Sequence, residues 1–318
     1  MIEKRICVVG GGRWGRNHIR TLSELGCLSA IVESDEERLK GYREEYPKVK
    51  CYADIEKAIE ARYDGYTVAV PAELHFEIGS RLLKAGLNVM MEKPMTMSVD
   101  ESVELVELSK LYGGRLMVGH VLLFHSAIRK IKQLIDEGKV GELCYVYSNR
   151  LNFGTVRTEE DVFWSFAPHD ISVLDYLVGS KAIDIRAKGC DYLTEGISDF
   201  TMVELEYPDN VHGHIFVSWL HPFKQQMIVV VGREGMITFD DATDKEVKYY
   251  KKRVVFENGR PTAENGEVEI IAYERTQPLT EELKYFAEHC DKDIEINRGE
   301  DGLEVVRVLK KVTELMNK

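Results

Sequence analysis

Arg5-Ile-Cys-Val-Val-Gly-Gly-Gly-Arg-Trp-Gly15 reads as a strand that turns into a helix. Ile6 to Val9 is a short apolar run stopped by glycines, and Asn17 to Leu25 has helical spacing. Gly10, Gly12 and Gly15 fill the three places of G-x-G-x-x-G. Their missing side chains allow a tight turn, close approach of a pyrophosphate to backbone amides, and close packing of helix on strand. A helix that starts near Trp14, with Arg13 beside it, points its positive end at such phosphates. A second apolar segment, Leu28 to Val32, ends at Glu33. That acid stands roughly 20 residues past the glycines, where a carboxylate accepts hydrogen bonds from ribose hydroxyls. The glycine turn alone is weak, but strand, helix, second strand and acid together predict a site for a nicotinamide dinucleotide. Glu33 repels a 2'-phosphate by like charge, which favours NAD over NADP; Ser34 and Arg38 are the opposing features.

Around this turn the pattern is α/β. Short apolar strands at Ile6 to Val9, Leu28 to Val32, Gly65 to Val70, Asn88 to Met91 and Arg115 to Val118 alternate with amphipathic helices, which predicts a doubly wound parallel sheet of the Rossmann type. Pro71 stops the third strand, Glu73 to Lys84 carries a helical stripe, and Ile128 to Ile135 marks a helix ending around Gly138. After Gly141 the strands follow one another: Leu143 to Leu151, Ile183 to Cys190, Phe200 to Tyr207, Val211 to Leu220, Met227 to Val231 and Met236 to Phe239. That run predicts a second, α+β domain with an open, mostly antiparallel sheet. A chain of 318 residues exceeds what one core organises, so the expected domains are 1–120 and 121–318. The last two helices, Leu279 to Cys290 and Leu303 to Met316, either cover a sheet face or return to the first domain.

A formal net charge of -12 argues against nucleic acid as a partner. No apolar stretch approaches the roughly 20 residues a bilayer requires, and Met1-Ile-Glu-Lys-Arg runs straight into the first strand, so neither membrane nor secretion is expected and the predicted location is cytoplasmic. The six cysteines form no C-x-x-C pair, which leaves metal and redox motifs unsupported. One hairpin, around Pro208-Asp-Asn210, sets His212 opposite Glu206 and His214 opposite Glu204 if it pairs symmetrically, with Val211, Ile215, Val217 and Trp219 on the other face. Two His and two Glu could hold zinc; complementary cross-strand pairs explain them equally well, and no metal is predicted.

Met91-Glu-Lys-Pro94 closes the fourth strand, at the carboxyl edge where open parallel sheets place ligands. Lys93 thus reaches the cofactor cleft, unless it is a surface lysine beside Glu92. Pro94 restrains it to an extended conformation, and the peptide before Pro94 is a candidate for cis. An ammonium held there stabilises alkoxide charge as an alcohol is oxidised.

With the glycine turn, Val70-Pro-Ala-Glu-Leu-His75 and the Glu-Lys-Pro triplet, the chain resembles the glucose-fructose oxidoreductase / inositol dehydrogenase family of NAD(P)-dependent sugar dehydrogenases. The resemblance implies a Rossmann domain followed by an α/β domain with an open sheet that commonly makes a homodimer or homotetramer. It implies a catalytic role for Lys93, and a cofactor site lined by Pro71, His75 and Glu92 as well as the glycine turn. Trp164-Ser-Phe-Ala-Pro-His-Asp-Ile-Ser-Val-Leu-Asp-Tyr-Leu-Val-Gly179 looks like the family's D-x-G-x-H segment opening a helix, with His169 at the histidine, where an imidazole accepts a hydroxyl proton. Ser165 replaces the family aspartate and Ala167 its glycine; Asp170 is the neighbouring acid able to orient the site. The wording of this segment is similar to the branch acting on UDP-N-acetylglucosamine or its uronate, which oxidises the sugar 3-hydroxyl. Asn149, Arg150, Asn152 and Arg157, in a loop-rich stretch before His169, are candidates to bind substrate carboxylate or pyrophosphate, or else are solvated charges. A free inositol or monosaccharide dehydrogenase, and an NAD(H)-binding sensor without turnover, are the alternatives.

Overall fold

A computed structural model describes residues 3–317. The chain divides into two compact units, one running up to Phe124 and including Thr276–Arg307, the other made of His125–Arg275 and the segment from Val308.

The first unit alternates β1 (Ile6–Val9), α1 (Gly15–Glu24), β2 (Leu28–Val32), α2 (Glu36–Glu45), β3 (Lys50–Tyr52), α3 (Ile55–Ala61), β4 (Gly65–Val68), α4 (His75–Lys84), β5 (Val89–Glu92), α5 (Val99–Tyr112) and β6 (Leu116–Gly119). The strands pair in parallel in the order β3-β2-β1-β4-β5-β6, the doubly wound arrangement the alternation predicts. Every residue of β1, β4, β5 and β6 is buried, as central strands covered on both faces require. Asp35, Asp54 and Ser98 cap α2, α3 and α5 by accepting from backbone amides two or three residues on. β4 stops at Val68, two residues before the expected end, and a short 3-10 turn at Ala72–Leu74 leads into α4.

The second unit holds α6 (Ser126–Asp136), β7 (Leu143–Phe153), α7 (Val162–Val178), β8 (Asp184–Cys190), β9 (Phe200–Tyr207), β10 (Val211–Ser218), β11 (Leu220–Gly232), β12 (Met236–Asp240), β13 (Val247–Glu257) and β14 (Arg260–Ile271). The eight strands run β14-β13-β12-β11-β7-β10-β9-β8, with β7 and β10 parallel and every other pair antiparallel. α7 covers β7, β9 and β10, and α6 packs on α7. The β9–β10 hairpin takes the symmetric register, His212 opposite Glu206 and His214 opposite Glu204, while Val211, Ile215, Val217 and Trp219 are buried. His214 stacks on Tyr147 at 4.5 Å between centroids. Among the described residues no group of three His, Cys, Asp or Glu is placed to hold a metal ion.

From Thr276 the chain rejoins the first unit through α8 (Pro278–Glu288), which packs on α1, and through the start of α9 (Gly299–Met316). Glycines mark how close these approaches are: a Cβ on Gly65 would meet Phe286 and Cys290, and one on Gly302 would fall 2.4 Å from Val118. Among the described residues no helix is long and apolar enough to cross a membrane.

Candidate active site

The glycine turn of the first unit is built by contact as much as by torsion. Gly10 has φ +95°, and a Cβ there would lie 2.8 Å from the Ala69 carbonyl oxygen. A Cβ on Gly15 would sit 1.8 Å from the Gly10 carbonyl oxygen, so α1 rests directly on the turn. Gly12 is different: its nearest neighbour would be Arg38 Nη1 at 3.6 Å. The turn is therefore tight where chain meets chain and open at Gly12, ahead of α1. Trp14 is the N-cap residue of that helix, and Arg13 and Trp14 are both exposed beside it.

Glu33 closes the other side. It is buried, its Oε2 accepts from the Gly11 amide at 2.9 Å and its Oε1 from the Asp35 amide at 2.9 Å. Arg38 Nη1 stands 3.4 Å from Glu33, and its Nη2 donates to Asp35. The Tyr42 hydroxyl donates to the Gly11 carbonyl at 2.7 Å, a support for the turn that no motif in the sequence announces.

At the end of β5, Glu92 is buried against His18 of α1, with His18 Nε2 2.9 Å from Glu92 Oε1. The Lys93 amide donates to Glu92 Oε2 at 3.2 Å, and the Lys93–Pro94 peptide is cis. Burial alone pushes the Glu92 carboxyl up, but His18, Trp14 and Lys93 together hold it below the usual carboxylate range. Lys93 is half-buried at the carboxyl edge of the parallel sheet. His75 is buried with Nδ1 2.8 Å from the Pro94 carbonyl and Nε2 3.1 Å from the Val70 carbonyl. Burial lowers its proton affinity below the ordinary imidazole value, against the pull of the two carbonyls; a neutral ring donates to one of them only. Pro71, exposed, begins the 3-10 turn that leads into α4.

In the second unit two expectations are corrected. His169 does not precede a helix but lies inside α7, whose true start is fixed by Asp161 accepting from the Phe163 and Trp164 amides, with Pro168 accommodated mid-helix. Asn149 and Arg150 lie within the expected strand and Asn152 joins them, because β7 runs on past Leu151 to Phe153 in place of a loop-rich stretch; Arg157 alone is in a loop, exposed and paired with Glu160. Strand alternation then separates them. Asn149 bonds Gln225 on one face, whereas Ser148 and Arg150 face α7. There Asp170, 1% exposed, accepts from Arg150 Nε (2.8 Å), Arg150 Nη2 (3.1 Å) and Ser148 Oγ (2.6 Å). Desolvation pulls the Arg150 guanidinium down, but Asp170 outweighs it and holds it above its ordinary value. Ser165 lies one turn before His169, on the same side of α7, and Ala167 is in the core. Chemically, the first unit offers an open glycine turn, a buried acid fixed by two amides and a half-buried lysine, and the second a half-buried imidazole followed by an acid paired with a guanidinium.

Residues 4–120 match an oxidoreductase family with an NAD-binding Rossmann fold, and residues 128–238 match the GFO/IDH/MocA C-terminal domain. The inositol 2-dehydrogenase of Corynebacterium glutamicum is 30% identical over 191 residues, 58% of this chain and 57% of that protein. The UDP-N-acetylglucosamine 3-dehydrogenase of Acidithiobacillus ferrooxidans is 26% identical over 196 residues, 61% of each chain. These alignments thus span less than two thirds of either relative. The solved structure of the latter enzyme superposes with a TM-score of 0.86 over 99% of this chain and 98% of that one, at 20% identity, a likeness of fold.

Proposed function

We propose a reaction for this chain, which belongs to the GFO/IDH/MocA oxidoreductase family: NAD-dependent oxidation of the 3-hydroxyl of a UDP-linked N-acetylated amino sugar or its uronate. The observation that carries an oxidoreductase reading is the corner where β5 ends at Glu92 and Lys93 and Pro94 follow, beside β4, the neighbour of the strand that leads into the glycine turn. The residues fit NAD: Gly12 leaves its surface open, Gly10 and Gly15 draw α1 onto the turn, and Glu33 is fixed by two amides. NAD, when bound, accepts a hydride from the carbinol carbon. We assign Lys93 the electrostatic role, an ammonium that stabilises developing alkoxide charge, and His169 the role of base, each on the resemblance already described. The Arg150–Asp170 pair, adjacent to His169 on α7, keeps a charge of each sign fixed beside the imidazole.

NAD rather than NADP is favoured by charge. Glu33 faces the position of a ribose 2'-substituent, and Arg38, the cation nearest to it, is already shared between Glu33 and Asp35. The nucleotide-sugar substrate is supported by the resemblance of the Trp164–Gly179 segment and by the Acidithiobacillus relative. A free inositol is the second reading, supported by the 30% identical relative.

Absorbance at the NADH band, with NAD or NADP against UDP-N-acetylglucosamine, its uronate, myo-inositol and free hexoses, separates these. Turnover of the UDP-sugars with NAD is expected. Turnover of inositol alone replaces the substrate, and NADH binding without turnover of any polyol turns the chain into a sensor.

A further inference from the structure

Behind the Glu92 corner lies a second acid. Glu282 of α8 is 0% exposed, and its Oε1 accepts from Asn297 Nδ2 at 3.4 Å while its Oε2 has no hydrogen-bond partner. Asn297 is itself buried, in the left-handed region at φ +62°. Its Nδ2 also donates to the His120 carbonyl at 3.2 Å, and its own carbonyl accepts from the Val118 amide at 2.7 Å. Because the His120 carbonyl can only accept, the amide orientation is fixed, and Asn297 Oδ1 is left as a second buried oxygen without a partner. Between Val118 and His120 lies Gly119, the β6 residue in register with Glu92; a Cβ on it would fall 3.0 Å from Glu92 Oε1. The contacts are continuous: Glu282 to Asn297, Asn297 to both sides of Gly119, and Gly119 to the carboxylate held by His18 and followed by Lys93.

We infer that Glu282 is a positioning residue for the Glu92–Lys93 corner, carried as a neutral acid that locks Asn297 against the end of β6. A proton on Oε2 converts the partnerless oxygen into a donor, and Asn297 Oδ1 is the partnerless acceptor on the amide that already binds its sister oxygen. An ionised Glu282 would instead bury a second anion in the same core as Glu92. α8 packs on α1, which carries buried His18, and on the turn that follows buried His120; the charge of Glu92 also acts on Glu282, with Lys93 next to Glu92 in the chain. Burial, and then the charge of Glu92, drive the Glu282 carboxyl well above the usual carboxylate range.

The test is the thermal midpoint of the full chain between pH 5 and 9 for wild type, E282Q, E92Q and E92Q/E282Q, with NADH binding and turnover of wild type, E282Q and E282A at pH 7.5. In the unfolded chain a glutamate ionises above about pH 4.3, while folded Glu282 keeps its proton. Wild-type stability therefore falls as pH rises through that window, and E282Q, which cannot ionise, does not share the loss. The two midpoints are expected to lie closest near pH 5 and to separate steadily towards pH 9 in favour of E282Q, with a smaller separation in the E92Q background. E282Q is expected to keep turnover within twofold and E282A to lose at least tenfold with NADH affinity little changed. A separation that does not grow with pH overturns the neutral acid, and E282Q losing turnover as E282A does overturns the positioning role. The activity arm rests on the dehydrogenase reading, but the stability arm does not. If no sugar is turned over, the midpoints still decide Glu282 while only the substrate assignment fails, and they do so even if E282A does not fold.

Discussion

Replacing Arg150 by Met separates the two roles its position allows. Asp170 is almost completely buried and receives three hydrogen bonds, two from Arg150 and one from Ser148. The Arg150 side chain is itself only 17% exposed, so solvent does not take its place. Removing one member of a buried pair leaves an uncompensated charge, an effect of about 3–5 kcal/mol. In a unit of this size that corresponds to a fall in melting temperature of about 6–20 °C. The expected result in differential scanning calorimetry is a large drop for R150M and for D170L. A substantial recovery is expected in R150M/D170L, where both charges are replaced by apolar groups. The double-variant cycle then gives a coupling energy well above the roughly 0–1 kcal/mol of exposed ion pairs. If R150M melts within about 2 °C of wild type, equivalent to less than 1 kcal/mol, and instead raises the KM for a nucleotide sugar, the guanidinium is a substrate ligand and the clamp argument is wrong.

Two further outcomes follow from the glycine turn and the β5 corner. G15A, whose new methyl would lie 1.8 Å from the Gly10 carbonyl oxygen, is expected to lose about 3 kcal/mol or more of stability together with NADH binding. G12A, with 3.6 Å of room, keeps its melting temperature and loses affinity alone; equal melting losses in the two variants contradict the assignment of open and closed sides. K93M is expected to reduce kcat by about 10²–10⁴ with the NADH dissociation constant, read by fluorescence titration, changed less than threefold; near-normal turnover removes Lys93 from the chemistry.

Local pattern in the amino-acid sequence specifies much of the first sheet. β1 and β2 have the bounds that their apolar runs and the following Gly10 and Glu33 predict, and the β9–β10 register follows from a two-residue alternation about Pro208 to Asn210. The start of α7 is harder to read, because Pro168 mimics a helix boundary. The operative signal is Asp161, seven residues before Pro168, whose side chain satisfies the Phe163 and Trp164 amides. β13 and β14 carry no clear strand pattern because their outer halves are exposed on both faces: Lys251 to Arg253 and Glu264 to Glu269 place charge where a half-buried strand would alternate. Arg150 and Asp170 are each visible as candidates but not as a pair, since a strand residue and a helix residue meet only through packing. His18, Tyr42, Glu282 and Asn297 are single polar residues in otherwise ordinary helices or turns, and nothing nearby in sequence signals that they converge on the glycine turn and the β5 corner.

The return of α8 and Asn297 to the first unit carries a consequence for how the protein is made. The sheet that Asn297 grips at Val118 and His120 leaves the ribosome long before Asn297 does, since the contact spans 177 residues. Gly65 and the apolar ring of Phe124 likewise wait for Phe286 and Tyr285. The amino-terminal half is thus synthesised with part of its core uncovered, and closing so long a loop comes late and slowly. A deletion that removes Asn297 therefore strikes the sheet of β1 to β6, far from it in sequence.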